Sequence, residues 1–372
     1  MKLAHEFYQL PLSFDVERLQ QEVLQLDETF WQAHHEGFKG NIAVPLLSVN
    51  GSVNNDFKGP IKETQALQQL PYIRQVLASF NQVFGRSRLM ALEPGCQVPE
   101  HTDINYHWYN RVRIHIPIVT TEQVIFYCAD KQVHMGAGEC WIFDSWKQHK
   151  VVNNSNVRRI HLVIDTHGDS KFWQLVNKST IPGVQQALVP HKHLPYSVNN
   201  TAVIATERFN LPVVLSPGEL DFMLGELKRE IELANNDTTI TANLFAKLDA
   251  FAQDWRQLYS LYGQSEAGWE RYHQRRDQLF HSARELASQL SLTNHTSALQ
   301  MLIHCIIDPA LNVEVAQNQL DATAPVGGEK SALAKQAKAA NDLPRPPSAM
   351  VSRNSLCHCE SGKKFKHCCG AL

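Results

Sequence analysis

The chain has 372 residues, of which 43% are hydrophobic and 19% charged, with a formal net charge of -2. That length exceeds what one hydrophobic core usually serves, so two or three units are expected. The near-neutral balance gives no global attraction to nucleic acid or anionic membranes, and any charged partner must be met by a local patch. The opening MKLAHEFYQLPLSFDVERLQ has no apolar signal core, and nowhere does the chain offer the ~20 apolar residues of a membrane span, which predicts a cytoplasmic protein with no membrane partner.

Residues 1–80 read as mixed, with helices expected near 16–26 and 73–84. From 89 to 165 short apolar runs alternate with turns, the pattern of a β-sandwich or barrel. In RVRIHIPIV, residues 111–119, Arg111, Arg113 and His115 fall on one face and Val112, Ile114, Ile116 and Ile118 on the other. The basic face is either solvated or lines a pocket, where it needs anionic partners. Runs at 123–128, 139–144 and 157–165 continue the sheet around turns at Ala129-Asp130-Lys131 and Gly136-Ala137-Gly138.

After residue 210 the period changes to that of helices. Ser216-Pro217-Gly218-Glu219 is a capping box with proline at the first helical position, and Leu215 with Leu220 can staple it. Stripes beginning at Leu220, Leu244, Trp269 and Leu299 predict four helices, the second stopped by Gly263. The aromatic residues in these stripes read as core. Residues 313–350 are rich in Ala, Lys, Gln and Pro and too poor in large apolar groups to fold, so they read as a flexible linker.

Two sets of residues carry chemistry. The first is His101-Thr102-Asp103 together with His149. Two imidazoles and a carboxylate on one face of an ion leave other positions open, as an iron(II) oxygenase requires, and residues i and i+2 of an extended segment reach the same side. If residues 149–165 form a hairpin turning near Asn154, Arg159 lies opposite His149, placing a guanidinium beside the metal; a slip of one residue would substitute Arg158. Such a guanidinium suits the distal carboxylate of 2-oxoglutarate. The other reading of the pair is a cationic surface hairpin.

The second set is the tail, RNSLCHCESGKKFKHCCG at 353–370, in which Cys357, Cys359, Cys368 and Cys369 have the spacing C-x-C-x8-C-C. Cys96, Cys128, Cys140 and Cys305 are scattered through apolar contexts, so the clustered four are better explained by a zinc ion than by disulfides. A segment this short has almost no core, and the metal must supply its folding energy.

From EPGCQVPEHTD through RVRIHIPI, HMGAGECWIFD and QHKVV to RRIHLVID, the chain resembles the aspartyl/asparaginyl β-hydroxylases. The resemblance spans about 89–165. It implies an α+β protein with a double-stranded β-helix core of the cupin or jelly-roll kind, occupying 1–209, followed by a helical region at 210–312. It implies a dioxygenase that uses Fe(II), 2-oxoglutarate and O2, giving succinate and CO2 as it hydroxylates an Asp/Asn-type residue of a peptide or protein. His101, Asp103 and His149 then become iron ligands, Arg159 the 2-oxoglutarate anchor, and Arg113 and His115 further contacts to that co-substrate. Vertebrate-type members lack the carboxylate ligand that Asp103 supplies here, which weakens transfer of their narrow substrate preference. Free-proline hydroxylases share parts of the pattern, so a free amino-acid hydroxylase is an alternative, and a non-catalytic metal-dependent adaptor is another.

The tail, residues 351–372, is similar to the SEC-C motif, which implies zinc held by its four cysteines and binding to a protein or ribosome-associated partner. A zinc knot that merely ends the chain is the competing reading.

Overall fold

The computed structural model describes residues 1–33, 37–198 and 202–316. The SEC-C-like tail with Cys357, Cys359, Cys368 and Cys369, and the expected linker beyond Ala316, lie outside the described residues. In chain order the strands are β1 (Phe7–Phe14), β2 (Gln32–Ala33), β3 (Asn41–Val49), β4 (Ile61–Glu63), β5 (Val83–Leu92), β6 (Gln97–His101) and β7 (Val112–Val119). They continue with β8 (Val124–Cys128), β9 (Lys131–Val133), β10 (Glu139–Phe143), β11 (His149–Asn153), β12 (Arg159–Thr166), β13 (Lys192–Leu194) and β14 (Ala205–Thr206).

From β5 onward successive strands are dealt between two sheets. The larger sheet has β10, β7, β12 and β5 as adjacent neighbours, and the smaller runs β6-β11-β8-β9. This winding is the double-stranded β-helix. β1 and β3 widen the larger sheet on either side. Both contain a proline, and the register of β1 against β10 shifts between Leu10 and Ser13, around Pro11, while that of β3 against β5 shifts between Pro45 and Leu47. A proline interrupts the apolar alternation and removes a ladder donor, which is why neither segment reads as a strand in sequence.

The helices expected near 16–26 and 73–84 are α1 (Val16–Leu24) and, shifted toward the N-terminus, α3 (Pro71–Ser79); between them lies the short α2 (Gln65–Gln68). They pack with α5 (Ser170–Asn177) on the outer face of the larger sheet, around Ile114, Ile116, Ile118, Ile160, Leu162 and Ile164. The inner face of that sheet looks across to the smaller one, and β12 is buried along its whole length. The basic row of β7 is therefore interior, and β7 is a central strand.

α4 (Tyr106–Tyr109) follows Asp103, and the helical region comprises α6 (Pro217–Leu233), α7 (Thr238–Tyr262), α8 (Trp269–Ser288), α9 (Ala298–Met301), a π-helical stretch at Leu302–Ile307 and α10 (Asp308–Ala310). Ser216 Oγ accepts from Glu219 N at 3.3 Å, as the capping box requires, but the Glu219 carboxylate turns instead to the Tyr106 hydroxyl. Gly263 ends α7 with φ of +53°. The helical region extends past 312: residues 313–316 form a further turn in which Val315 is buried. Its core is continuous with Ile104, Tyr106, Tyr109 and Trp146 of the β-helix. Among the described residues no helix is long and apolar enough to cross a membrane.

Candidate active site

His101 ends β6 and His149 begins β11, and the two are paired directly across the smaller sheet. Two residues beyond His101 the chain has left the strand, and Asp103 is held by its backbone N–H, which donates to Ser145 O at 3.0 Å. One ligand atom from each of His101, Asp103 and His149 lies within 4.8 Å of the others. His149 Nε2 stands 4.0 Å from Asp103 Oδ2.

The two imidazoles are fixed in a common tautomer. His101 Nδ1 lies 2.8 Å from Pro99 O, and His149 Nδ1 lies 2.9 Å from Lys147 O. A carbonyl only accepts, so each Nδ1 carries a proton, which leaves Nε2 as the nitrogen able to face a metal. Burial holds His149 down at about 4, and so keeps it unprotonated at neutral pH. Burial works to raise the Asp103 carboxyl, but the Arg113 guanidinium and the imidazoles of His149 and His101 outweigh it and leave the group below its usual range. This donor set of two imidazoles and one carboxylate fits a divalent iron with open positions.

Arg113 is a bridge. Its Nη1 donates to Asp103 Oδ2 at 2.9 Å and its Nε to Asp165 Oδ1 at 3.3 Å, while its guanidinium lies 4.3 Å from the Trp108 ring centre. Asp165 also accepts from His107 Nε2 at 3.0 Å. The Asp103 carboxylate is thus oriented by a cation that is itself anchored at a second carboxylate.

Arg159 sits on the inner face of β12, 4% exposed, with its guanidinium 4.9 Å from the Phe126 ring centre. Its Nε has no hydrogen-bond partner, and burial lowers its pKa to about 9 with no carboxylate opposing the shift. Arg158 points outward to Glu28 and Glu93. The expected hairpin does not exist, because β11 pairs with β6 and β8 and β12 with β5 and β7. His149 and Arg159 line one cavity by facing each other from opposite sheets. The crossover is set by Asn153, wholly buried, whose Nδ2 donates to the carbonyls of Leu92, Glu93 and Val157.

His115 lines the same cavity, and neither of its ring nitrogens finds a partner. Nor do those of His161, two residues beyond Arg159, whose ring stacks on Phe126 at 5.3 Å. Burial holds both well below the ordinary histidine range. His161 reads in sequence as an ordinary packed histidine, although the alternation of RIHLVIDT puts it on the same face as Arg159 and Asp165. Other basic residues go elsewhere: Arg111 forms a buried two-pronged ion pair with Glu207 at 2.7 and 2.8 Å, and His134 bonds Val124 O.

Residues 14–168 match the family model described as Aspartyl/Asparaginyl beta-hydroxylase, and residues 353–371 match the SEC-C motif. Similar solved structures include a prolyl-4-hydroxylase from Pseudomonas putida, 14% identical over 45% of this chain and 95% of its own, with a TM-score of 0.30. A 2OG-Fe(II) oxygenase family oxidoreductase from Burkholderia pseudomallei is 9% identical over 41% of this chain and 78% of its own, with a TM-score of 0.31. A predicted oxalate decarboxylase from Thermotoga maritima is 19% identical over 37% and 89%, with a TM-score of 0.23.

Burial holds His107 at about 4, beside an Arg111 cation that adds to the effect, against the pull of Asp165. The unfolded histidine protonates near 6.5, so the unfolded chain takes up the proton first and stability falls as pH drops from about 6.5 toward 4. His149 behaves alike. Urea unfolding of metal-free protein is expected to lose about 1.4 kcal/mol per pH unit for each of these protons in that window. His107→Gln, which keeps a donor for Asp165 but does not titrate, flattens the slope by one proton; an unchanged slope contradicts the assignment.

Proposed function

We propose that the chain is an iron(II)- and 2-oxoglutarate-dependent hydroxylase acting on an Asp/Asn-type residue of a peptide or protein, a reading supported by the match of residues 14–168 to the aspartyl/asparaginyl β-hydroxylase family model. The observation that carries this reading is the meeting, in one cavity, of the His101, Asp103 and His149 ligand atoms with a buried guanidinium that has no counter-charge. An adaptor gains nothing from such an arginine, because a buried unpaired charge costs stability unless an anion arrives to satisfy it.

In this reading His101 Nε2, His149 Nε2 and the Asp103 carboxylate hold the iron, and Arg159 grips the distal carboxylate of 2-oxoglutarate. When bound, the iron and its co-substrate would supply the chemistry that divides O2, one oxygen atom converting a C–H bond to C–OH and the other entering succinate as 2-oxoglutarate loses CO2. The chain's own work is positional. Pro99 O and Lys147 O keep the imidazoles in register, Arg113 keeps Asp103 ionised and aimed, and His115 lines the cavity with ring nitrogens that have no protein partner. Phe126, Phe143 and Val151 wall that cavity against water.

For the tail we infer a zinc ion held by Cys357, Cys359, Cys368 and Cys369, with a role in bringing the enzyme to a macromolecular target. The SEC-C match supports the ligand set, and a tether between it and the enzyme would raise the local concentration of that target.

Succinate formation with iron(II), 2-oxoglutarate and candidate substrates tests the reading. His101→Ala and Asp103→Ala abolish it. Arg159→Gln removes a charge-assisted pair and raises the KM for 2-oxoglutarate by about 10- to 100-fold while leaving substrate KM nearly unchanged. Deleting 351–372 impairs turnover of a macromolecular substrate and spares that of a short peptide. A fully active Asp103→Ala enzyme, or an Arg159→Gln enzyme with unaltered 2-oxoglutarate dependence, contradicts the assignment.

A further inference from the structure

Charge in the cavity does not balance. Its lining carries the basic side chains Arg86, Arg88, Arg113, Lys150 and Arg159 against two carboxylates, Asp103 and Asp165. Both carboxylates are taken by Arg113. Loading does not repair the deficit, because an iron dication and a 2-oxoglutarate dianion cancel one another. Lys150 is half-buried at the edge and packs 5.0 Å from the Tyr127 ring centre, so it can remain hydrated. Arg86 and Arg88 cannot.

These two arginines lie at i and i+2 of β5 and so project from one face of the larger sheet into the cavity. Arg86 is 5% exposed and its guanidinium lies 4.0 Å from the Phe57 ring centre. Its Nη1 is buried without a hydrogen-bond partner, and it has no ion pair among the described residues. Arg88 is 8% exposed, and its Nη2 donates to a neutral acceptor, Asn55 Oδ1, at 2.9 Å. Burial lowers Arg88 to about 10, with Asp165 opposing at longer range. Along β12 the neighbours shift in step: Val163 pairs with Arg88 on one side and with His115 on the other, whereas Arg159 pairs with Leu92, four residues further along β5. The β5 arginines therefore occupy the end of the cavity near Asp165 and Arg113, and Arg159 the other.

We propose that Arg86 and Arg88 form an anion subsite for the substrate, so that the residue hydroxylated is taken as a carboxylate in preference to a carboxamide. The inference rests on the oxygenase reading above and narrows it from an Asp/Asn-type residue to an acidic one. Two guanidiniums on neighbouring inward positions can share one carboxylate through charge-assisted bonds. A carboxamide would leave both charges uncompensated and set its NH2 against donors. Neither residue belongs to the motifs that mark the metal and 2-oxoglutarate sites.

The test uses the full chain loaded anaerobically with iron(II) and 2-oxoglutarate, followed by the visible charge-transfer band of that complex. It is titrated with the N-acetyl amide of aspartate and, in parallel, with that of asparagine. The aspartate probe is expected to perturb the band with an affinity at least about tenfold above that of its amide twin. In the Arg86→Met/Arg88→Met double variant the band still forms with 2-oxoglutarate, but this preference disappears; Arg86→Lys/Arg88→Lys, which keeps the charges, retains part of it. Equal responses to the two probes, no response to either, a preference that survives the methionine pair, or loss of the 2-oxoglutarate band in that pair would each overturn the subsite and leave the oxygenase reading standing. Absence of the band from the unaltered protein removes the oxygenase reading itself, and the subsite with it.

Discussion

Two sheets closed face to face around more positive than negative charge set the terms for the rest of this molecule. Burying a cation without a partner is among the costliest things a fold can do, and a scaffold with no ligand would gain by replacing Arg159 or Arg86 with apolar groups of similar size. The cost is sustained by a large apolar investment on the outer face of the larger sheet, where Ile114, Ile116, Leu162 and Ile164 are fully buried against helices. One strand thus does both tasks: β12 buries its even-numbered apolar residues outward and turns Arg159, His161 and Asp165 inward. Stability is held on one side of the sheet and binding chemistry on the other.

The helical region takes part in the same arrangement. Both segments that deliver the proposed metal ligands are clasped from it. The stretch before His149 is held where Asn294 Nδ2 donates to Trp146 O at 2.8 Å and the Trp146 indole donates to Glu230 at 3.4 Å. The loop after Asp103 is held where the Tyr106 hydroxyl donates to Glu219 and Tyr109 to Glu226, both on α6. Trp108, which lies over Arg113, is carried on the helix between those tyrosines. The helices therefore fix the positions of Asp103 and His149 from outside the β-helix, a form of support that loop-borne ligands need if they are to hold one geometry.

Much of this was legible in the residues. The alternation of RVRIHIPIV separates core from cavity correctly at Arg113, His115, Ile114 and Ile116, and the motifs that carry His101, Asp103, His149 and Arg159 do bring those side chains into one cavity. The route that joins His149 to Arg159 differs from the one the sequence suggests. A turn-like Asn153-Asn154-Ser155 suggests a hairpin, but Asn153 spends its side chain on three carbonyls and sends the chain across to the other sheet. Local turn chemistry does not record which sheet the next strand will join. β1 and β3 were hidden by their prolines. Arg86 and Arg88 were hidden for a different reason: an inward arginine on a strand looks like an outward one until its neighbours are known, and its lack of a counter-charge is a property of the folded interior alone.

The position at which iron binds tests the proposed ligand set most directly. Anomalous scattering from crystals soaked anaerobically with iron(II) is predicted to give a single strong peak in the cavity, bonded to Nε2 of His101, Nε2 of His149 and the Asp103 carboxylate. A peak elsewhere, no peak with those three side chains ordered, or coordination through either Nδ1 would contradict it.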